Sequence, residues 1–89
     1  MYHLNQNTLR LLMDNNIKHR IKNIMSAVFE IPVHEIDENS SPDNIESWDS
    51  LKHMNLIIAL EEEFEIEFTD DEILETMNYA LIESIIIEK

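Results

Sequence analysis

The sequence of 89 residues contains no cysteine and no glycine, and it contains only two prolines. Without cysteine the chain can form neither a disulfide nor a cysteine-ligated metal site, and it has no thiol nucleophile of its own. Hairpins and tight β-turns usually require glycine or proline, so their scarcity argues against an all-β architecture. The length suffices for one domain with one small core. The composition therefore predicts a single, mostly helical domain.

Long apolar runs are also missing. No run approaches the roughly 18 residues that span a bilayer, and residues 1–16 lack the continuous apolar segment of a secretory signal. The absence of cysteine suits a reducing compartment. These features predict a soluble, cytoplasmic protein without stable membrane insertion.

Positive charge is scarce and unevenly distributed. Residues 1–22 hold four basic residues and one acidic residue, residues 23–88 hold one basic and eighteen acidic residues, and the formal net charge is −13 at pH 7. Such a surface repels nucleic acid and attracts basic partner surfaces, with an association rate that falls as salt rises. The alternative is that the acidic surface serves only solubility.

The clearest pattern lies at residues 48–64, WDSLKHMNLIIALEEEF. Asp49 or Ser50 is predicted to cap the N-terminus of a helix, because either side chain can accept a hydrogen bond from a backbone N–H one turn ahead. The helix carries two apolar stripes, which are Leu56, Leu60 and Phe64, and Leu51, Met54 and Ile58. One stripe is expected to join the core, so the second stripe requires a functional explanation.

This stretch resembles the attachment region of the acyl carrier proteins, in which Asp-Ser-Leu starts a helix that continues through Ala-Leu-Glu-Glu-Glu-Phe. The matching positions are Asp49, Ser50 and Leu51, followed by residues 59–64. The resemblance covers residues 17–88 and implies an all-α, four-helix bundle with a long loop between helices 1 and 2 and a short helix 3. It also implies a 4′-phosphopantetheine arm, derived from coenzyme A and bound covalently to Ser50, which carries acyl groups as thioesters. Such a chain is a carrier and not an enzyme, and neither catalytic residues nor a metal site are expected.

The resemblance further implies which partners the carrier meets. A phosphopantetheinyl transferase attaches the arm, and acyl- or aminoacyl-loading and transfer enzymes with basic docking surfaces bind a face that includes Asp49, Leu51, Met54, Ile58, Glu61, Glu62 and Glu63. An equally open alternative places Met54 and Ile58 in an inner cleft that shelters the acyl chain. The carrier is expected to be a monomer. The alternatives for its function are an aminoacyl or peptidyl carrier and an unmodified acidic helical adaptor.

Three residues depart from the usual pattern of the family. Trp48 stands where many members have a small residue, Lys52 where an acidic residue is common, and Asn55 where glutamate is frequent. These departures favour a specialised standalone carrier over a housekeeping carrier of fatty-acid synthesis.

The N-terminal part is predicted to divide near residue 17. Residues 1–16 form an N-terminal extension or an extra helical segment, which either packs on the domain or extends the first helix, and residues 17–89 form the carrier domain. The first helix is expected to end near Ile31, before Pro32. Its apolar face consists of Ile17, Ile21, Ile24 and Val28, and its basic residues are expected to form a solvated face, namely Lys18, Arg20 and Lys22.

The remaining segments have weaker patterns. Residues 32–48 are predicted to be a long loop held by its isolated apolar residues, Val33, Ile36, Ile45 and Trp48. Thr69 and Glu72 have the spacing of a capping box, which predicts a short third helix that directs Ile73 and Leu74 inward. A last helix is expected to be lined by Met77, Leu81 and Ile85, with Thr76 as a candidate N-cap.

Two further interpretations of the sequence fail. Ser50, Asp49 and His53 suggest a hydrolase triad, but the chain lacks a Gly-x-Ser-x-Gly elbow and Asp49 is too near in sequence to orient His53. A calcium loop after Asp37 fails because proline and tryptophan occupy the positions that require glycine and glutamate. The histidines share no ligand spacing and are expected at the surface or in loops, namely His3, His19, His34 and His53.

Overall fold

The structure, a computed structural model, describes the backbone of residues 6–89 and the side chains of residues 17–89. Four helices follow one another, α1 (Gln6–Phe29), α2 (Ser50–Phe64), α3 (Asp70–Glu75) and α4 (Tyr79–Glu88), with one 3₁₀ turn at Val33–Glu35. No strand occurs within residues 6–89. The predicted all-α bundle, with a long loop before the second helix and a short third helix, is confirmed.

Helix α1 begins at Gln6, so residues 6–16 continue the first helix instead of preceding it. Residues 1–5 lie outside the described part, and the division of the chain near residue 17 stays a prediction. The helix ends at Phe29, because Glu30 adopts a left-handed conformation with a φ of 58°. The N–H of Ile31 then donates to the carbonyl of Ser26 at 3.2 Å, which closes the last turn. The helix thus ends two residues before the predicted position.

The expected solvated face of α1 contacts other helices instead. Arg20 donates from Nε to the carboxylate of Glu63 at 2.7 Å and from Nη2 to the carbonyl of the same residue at 2.8 Å. Its guanidinium also lies 4.3 Å from the centroid of the Phe64 ring. Lys22 lies over the ring of Tyr79 at 5.5 Å. The prediction was wrong for these residues, because their partners are distant in sequence, and Arg20 fastens α1 to the end of α2.

The long loop before α2 is held at several points. Ile36, Ile45 and Trp48 are buried as predicted, whereas Val33 is exposed, contrary to the prediction. Ser40 is buried, and its carbonyl accepts a hydrogen bond from the N–H of Tyr79 at 2.9 Å. The loop is therefore attached to α4 and has a defined course up to the start of α2.

Oxygen atoms in this loop bond to its own backbone. The carboxylate of Asp37 accepts from the N–H of Asn39 at 2.8 Å, and the amide oxygen of Asn44 accepts from the N–H of Ser41 at 2.9 Å. The amide nitrogen of Asn44 donates to the carbonyl of Asn39 at 2.8 Å. These Asx-type contacts shape the loop.

Helix α3 begins with the predicted capping box. The hydroxyl of Thr69 accepts from the N–H of Glu72 at 3.1 Å, and the carboxylate of Glu72 accepts from the N–H of Thr69 at 2.9 Å. Ile73 packs against the core as predicted. Leu74 does not, because 75% of its side chain is exposed.

The predicted start of α4 is wrong, and of the three residues predicted to line the helix only Ile85 is buried. Its N-cap is Asn78, whose side chain accepts from the N–H of Leu81, whereas Thr76 is buried at the end of α3 and its hydroxyl donates to the carbonyl of Ile73. Met77 and Leu81 are exposed. The face that the helix buries consists of Tyr79, Ile82, Ile85 and Ile86.

The core lies between α1, α2 and α4, with Phe68 and the loop residues closing its ends. Its fully buried members are drawn from three helices, and include Ile21, Met25, Phe29, Leu56, Ile57, Leu60, Tyr79 and Ile82. Protein interiors of this kind are close-packed, so the core fixes where α2 begins.

Candidate functional site

Ser50 is the first residue of α2, and its side chain is exposed. Asp49 is the N-cap, in agreement with one of the two predicted caps, and its Oδ1 accepts from the N–H of Lys52 at 2.8 Å. The first N–H groups of any helix lack partners within the helix, and the helix dipole adds partial positive charge at this end. Ser50 therefore presents its hydroxyl where an attached phosphate is favoured.

The loop that leads into Ser50 is fixed by Trp48. Its indole is buried and stacks on the ring of Phe29, with 4.8 Å between the ring centroids. The backbone N–H of Trp48 donates to the carbonyl of Ile45 at 3.0 Å. The hydroxyl of Ser47 donates to the carbonyl of Phe29 at 2.9 Å. Ser50 thus follows a segment that several contacts hold in place, although a small residue is usual in place of Trp48.

His53 joins this segment to α3 through a chain of hydrogen bonds. Nε1 of Trp48 donates to Nδ1 of His53 at 3.0 Å, and Nε2 of His53 lies 2.9 Å from the carbonyl of Ile73. Because the indole N–H can only donate, Nδ1 must be the acceptor, and the ring proton therefore resides on Nε2 and is donated to Ile73. We call this arrangement the Trp48–His53–Ile73 bridge.

The bridge corrects one prediction and supports another. His53 was expected at the surface or in a loop, but it is buried in α2. Both of its ring nitrogens are used, one with Trp48 and one with Ile73, and the carboxylate of Asp49 caps the helix. No Ser-His-Asp triad is assembled at Ser50, in agreement with the rejection of the hydrolase. The spacing of Trp48 and His53 carried no signal for the bridge, because Ile73 lies 20 residues further on.

The second apolar stripe of α2 faces outward. Leu51 is 70% exposed, Ile58 51% and Met54 44%, whereas Leu56 and Leu60 of the first stripe are fully buried. Leucine and isoleucine exposed together on one helix are typical of an interaction surface. The expectation that only one stripe joins the core is therefore correct.

The three consecutive glutamates of α2 differ in their surroundings. Glu62 is exposed, whereas the carboxylate of Glu61 accepts from the N–H of Phe68 at 2.9 Å and that of Glu63 binds Arg20. Glu61 and Glu63 thus help to hold the fold together. Among the described residues, Glu62 alone of the three makes no hydrogen bond or ion pair through its side chain.

A shallow groove lies between the start of α2 and α3, directly beside Ser50. Its volume is about 410 Å³. Its walls are mostly apolar and consist of Trp48, Asp49, Ser50, His53, Met54, Ile73, Leu74 and Met77. Among the predicted partner residues, the groove brings together Asp49 and Met54, whereas Leu51, Ile58, Glu61 and Glu62 lie outside it.

The other two departures from the family pattern lie on α2. Lys52 places its ammonium 3.6 Å from the carboxylate of Glu30, and Asn55 is exposed. Surface ion pairs of this kind contribute little to stability. Over residues 17–89, no group of three or more metal-binding side chains is found, and no helix within the described range is long and apolar enough to cross a membrane.

Comparisons with known proteins agree with this geometry. The family described as "phosphopantetheine attachment site" matches residues 19–84. An acyl carrier protein of Buchnera aphidicola subsp. Schizaphis graminum is 43% identical over 58 residues, which are 65% of this chain and 73% of that protein. An acyl carrier protein of Buchnera aphidicola subsp. Acyrthosiphon pisum is 42% identical over 57 residues, which are 64% of this chain and 71% of that protein. The chain therefore belongs to the acyl carrier protein family, and it carries acyl groups on a covalently attached 4′-phosphopantetheine arm.

Proposed function

We propose that Ser50 is the residue to which the arm is attached. The single observation that carries this proposal is the exposed hydroxyl of Ser50 at the first turn of α2, next to a cap supplied by Asp49. Attachment transfers a phosphopantetheine group from coenzyme A to the oxygen of Ser50. The new bond joins Oγ to phosphorus, the pyrophosphate bond breaks, the hydroxyl proton is lost to a base, and adenosine 3′,5′-bisphosphate leaves. A separate transferase with Mg²⁺ supplies positioning and charge neutralisation for this step.

The residues around Ser50 suit such a group. The helix end favours the phosphodiester, and the only carboxylate in the walls of the adjacent groove, that of Asp49, is directed to the N–H of Lys52. The bound group supplies a thiol that holds acyl groups as thioesters, which a chain without cysteine does not have. The chain itself holds and presents the arm, and we assign it no catalytic activity.

The proposed partner face is the outward stripe of α2 with its neighbouring acidic residues. The apolar part is Leu51, Met54 and Ile58, and the acidic part is Asp49, Glu61 and Glu62. Exposed apolar side chains rimmed by negative charge suit enzymes with basic docking surfaces. Because Glu61 also holds Phe68, Glu62 is the acidic residue whose substitution tests docking without disturbing the fold.

In this proposal the protein is a monomeric, cytoplasmic carrier that delivers acyl intermediates to biosynthetic enzymes. The departures at Trp48, Lys52 and Asn55 favour a specialised pathway. An aminoacyl or peptidyl cargo uses the same arm and the same serine, so the identity of the loaded group distinguishes it. An unmodified acidic adaptor keeps the fold but needs no arm.

Intact mass measurement tests the attachment. The protein is incubated with coenzyme A, Mg²⁺ and a broad-specificity phosphopantetheinyl transferase, and we expect a gain of one phosphopantetheine. Ser50→Ala is expected to show no gain. Ser84→Ala is the matched control, because Ser84 is an exposed serine on α4, and it is expected to gain the same mass as the wild type. A gain in Ser50→Ala, or no gain in folded wild type, contradicts the proposal, and the second result favours the adaptor.

A further inference from the structure

One polar contact joins the start of α2 to α3. Over residues 17–89, the hydrogen bond of 2.9 Å between Nε2 of His53 and the carbonyl of Ile73 is the only one between these two helices, and no ion pair joins them. On the other side of the imidazole, Nδ1 accepts from the indole N–H of Trp48 at 3.0 Å. The Trp48–His53–Ile73 bridge therefore depends on both ring nitrogens of one side chain.

The bridge exists only while His53 is neutral. The indole N–H of Trp48 can only donate, so Nδ1 must keep its lone pair, and the single ring proton resides on Nε2. A second proton has to bind Nδ1, because it is the only ring nitrogen without one. Two N–H groups then face each other where the 3.0 Å hydrogen bond was, and each lacks an acceptor there. Buried donors without partners are strongly unfavourable, so the protonated ring must leave the bridge.

The charged groups on the same side as His53 have other partners. Asp49 is the only charged residue that lines the groove together with His53, and its carboxylate accepts from the N–H of Lys52. The ammonium of Lys52 lies 3.6 Å from the carboxylate of Glu30, beyond the end of α1. In the loop before α2, Glu46 is exposed. A positive charge on His53 therefore gains no ion pair in the bridge.

The charged groups of α3 and α4 also leave His53 alone. Glu72 binds the N–H of Thr69 and the ammonium of Lys89, and Glu83 on α4 lies 4.0 Å from Lys18. Among the described residues, none of the acidic side chains of these two helices forms a hydrogen bond or an ion pair with His53, and the remaining ones are exposed, namely Asp70, Asp71, Glu75 and Glu88.

The groove gives the protonated ring a way to water. His53 is only 6% exposed, but it lines the groove of about 410 Å³ beside Ser50. A rotation toward this groove hydrates both N–H groups of the imidazolium. The carbonyl of Ile73 keeps a partner when His53 leaves, because the hydroxyl of Thr76 also donates to it at 2.9 Å. The bridge can therefore open without unfolding the core.

We propose that the Trp48–His53–Ile73 bridge is a pH-sensitive switch, closed when His53 is neutral and open when this residue takes up a proton. Opening loosens α3, which has six residues and is too short to remain helical without its contacts. The switch belongs to the chain itself and operates without an attached arm. Ser50 lines the groove that becomes wider when the switch opens.

The direction of the effect follows from the proton count, because the open form carries one proton more than the closed form. A free imidazole ordinarily titrates near pH 6.5, so opening becomes about tenfold more favourable between pH 7.5 and pH 5.5. Carboxyl groups ordinarily titrate near pH 4, outside this range. The backbone N–H groups of Ile73 and Thr76 donate within α3, to the carbonyls of Thr69 and Glu72, and they report its opening.

Hydrogen exchange of the full-length chain, labelled with ¹⁵N and carrying no arm, measures this opening. Exchange rates are divided by those of an unstructured chain at the same pH. We expect the protection of the amides of Ile73 and Thr76 to fall by about tenfold from pH 7.5 to pH 5.5. The amide of Ile21, a fully buried residue of α1, should keep its protection.

Nuclear magnetic resonance also observes the bridge directly. The chain has a single tryptophan, so the indole N–H signal of Trp48 needs no further assignment, and we expect it to shift as the pH falls. The imidazole ¹⁵N signals of His53 should show the proton on Nε2 at pH 7.5 and on both nitrogens in the open form.

Two histidine variants provide the comparison. His53→Gln removes the titrating group, so the protection of Ile73 and Thr76 is expected to be the same at both pH values. His34→Gln is the matched control, because His34 is an exposed histidine on the 3₁₀ turn, and it should show the same loss of protection as the wild type. Circular dichroism checks that both variants are folded.

Several results overturn the switch. A proton on Nδ1 of His53 at pH 7.5, or constant protection of Ile73 and Thr76 in the wild type, contradicts it without any variant. An equal loss of protection at Ile21 means that the whole domain opens. A pH response that persists in folded His53→Gln, or disappears in His34→Gln, assigns the effect to another group.

Discussion

Tyr79 is an unusual residue in this core. Its ring is buried, and its hydroxyl has no hydrogen-bond partner among the described residues. Burial raises the pKa of Tyr79 well above its usual range, and the negative charge of Glu83 raises it further. The carboxylate of Glu83 does not form a hydrogen bond with the hydroxyl. The hydroxyl therefore remains protonated. Tyr79 stabilises the core mainly through its ring, over which the ammonium of Lys22 lies.

Tyr79→Phe is therefore expected to raise the free energy of unfolding by about 1 kcal/mol, because it removes a buried polar atom that has no partner. Chemical denaturation with circular dichroism measures the change. Tyr79→Leu is the comparison, and it should destabilise the protein because a buried ring is lost. A loss of stability in Tyr79→Phe means that the hydroxyl has a partner.

Around Ser50, the sequence predicts the residues whose contacts are local and misses those whose contacts are distant in the chain. Asp49 as cap and Ser50 as the first exposed residue follow from local rules, because both depend on neighbours within one helical turn. His53 was misplaced at the surface, because its burial depends on Trp48 and on a carbonyl 20 residues away. Arg20 was misplaced for the same reason, since Glu63 lies 43 residues away.

At the scale of the helices, periodicity succeeded where apolar residues are sparse and failed where they are dense. In α2 the four-residue spacing grouped Leu56 and Leu60 into one stripe, which is buried, but it missed Ile57, which is also buried. Helix α4 has apolar residues around most of its circumference, so spacing alone could not choose between Leu81 and Ile82. The correct face was decided by packing against α1.

The ends of the helices show a related pattern. Both left-handed terminations are at glutamates, Glu30 with a φ of 58° and Glu65 with a φ of 54°. Glycine is the usual residue at such positions because it has no Cβ to clash. A sequence without glycine therefore lacks the usual local mark of these helix ends, and the end of α1 was predicted from Pro32 instead.

The short helix α3 provides a prediction about pH. Its capping box and the ammonium of Lys89, 3.0 Å from Glu72, hold the pKa of that carboxyl below its usual value of 4.5, with the backbone N–H of Thr69 as the main cause. A carboxyl whose pKa is lowered by folding stabilises the fold above its unfolded pKa, and this contribution is lost as the pH falls through the folded pKa.

The measurement is the difference in melting temperature between wild type and Glu72→Gln. Glutamine keeps an acceptor for the N–H of Thr69 but has no charge. The difference is expected to be largest near pH 7 and to shrink below pH 4.5, where Glu72 gains a proton. A difference that stays constant from pH 7 to pH 3 means that the charge of Glu72 does not stabilise α3.

For the whole molecule, the net charge of −13 governs encounters with partners. Glu62→Lys is expected to slow arm attachment several-fold at low salt and to leave the helical circular dichroism unchanged, because Glu62 is exposed and its charge contributes little to stability. The slowing should diminish as salt rises, since ions screen exposed charges.

The control is Glu88→Lys, which changes the net charge equally but lies on α4. It should slow attachment less than Glu62→Lys does. Equal slowing by both variants indicates that overall charge, and not the face of α2, attracts the transferase. Initial rates from intact mass spectra at several salt concentrations decide between these outcomes.

The position of the tryptophan has a practical consequence. The chain contains a single tryptophan, and its indole lines the groove, two residues before Ser50, stacked against Phe29 and His53. The ultraviolet emission of the protein therefore comes mainly from a side chain beside Ser50, the residue proposed to carry the arm. The carrier thus contains its own optical reporter, which allows loading and release to be followed in real time without a dye.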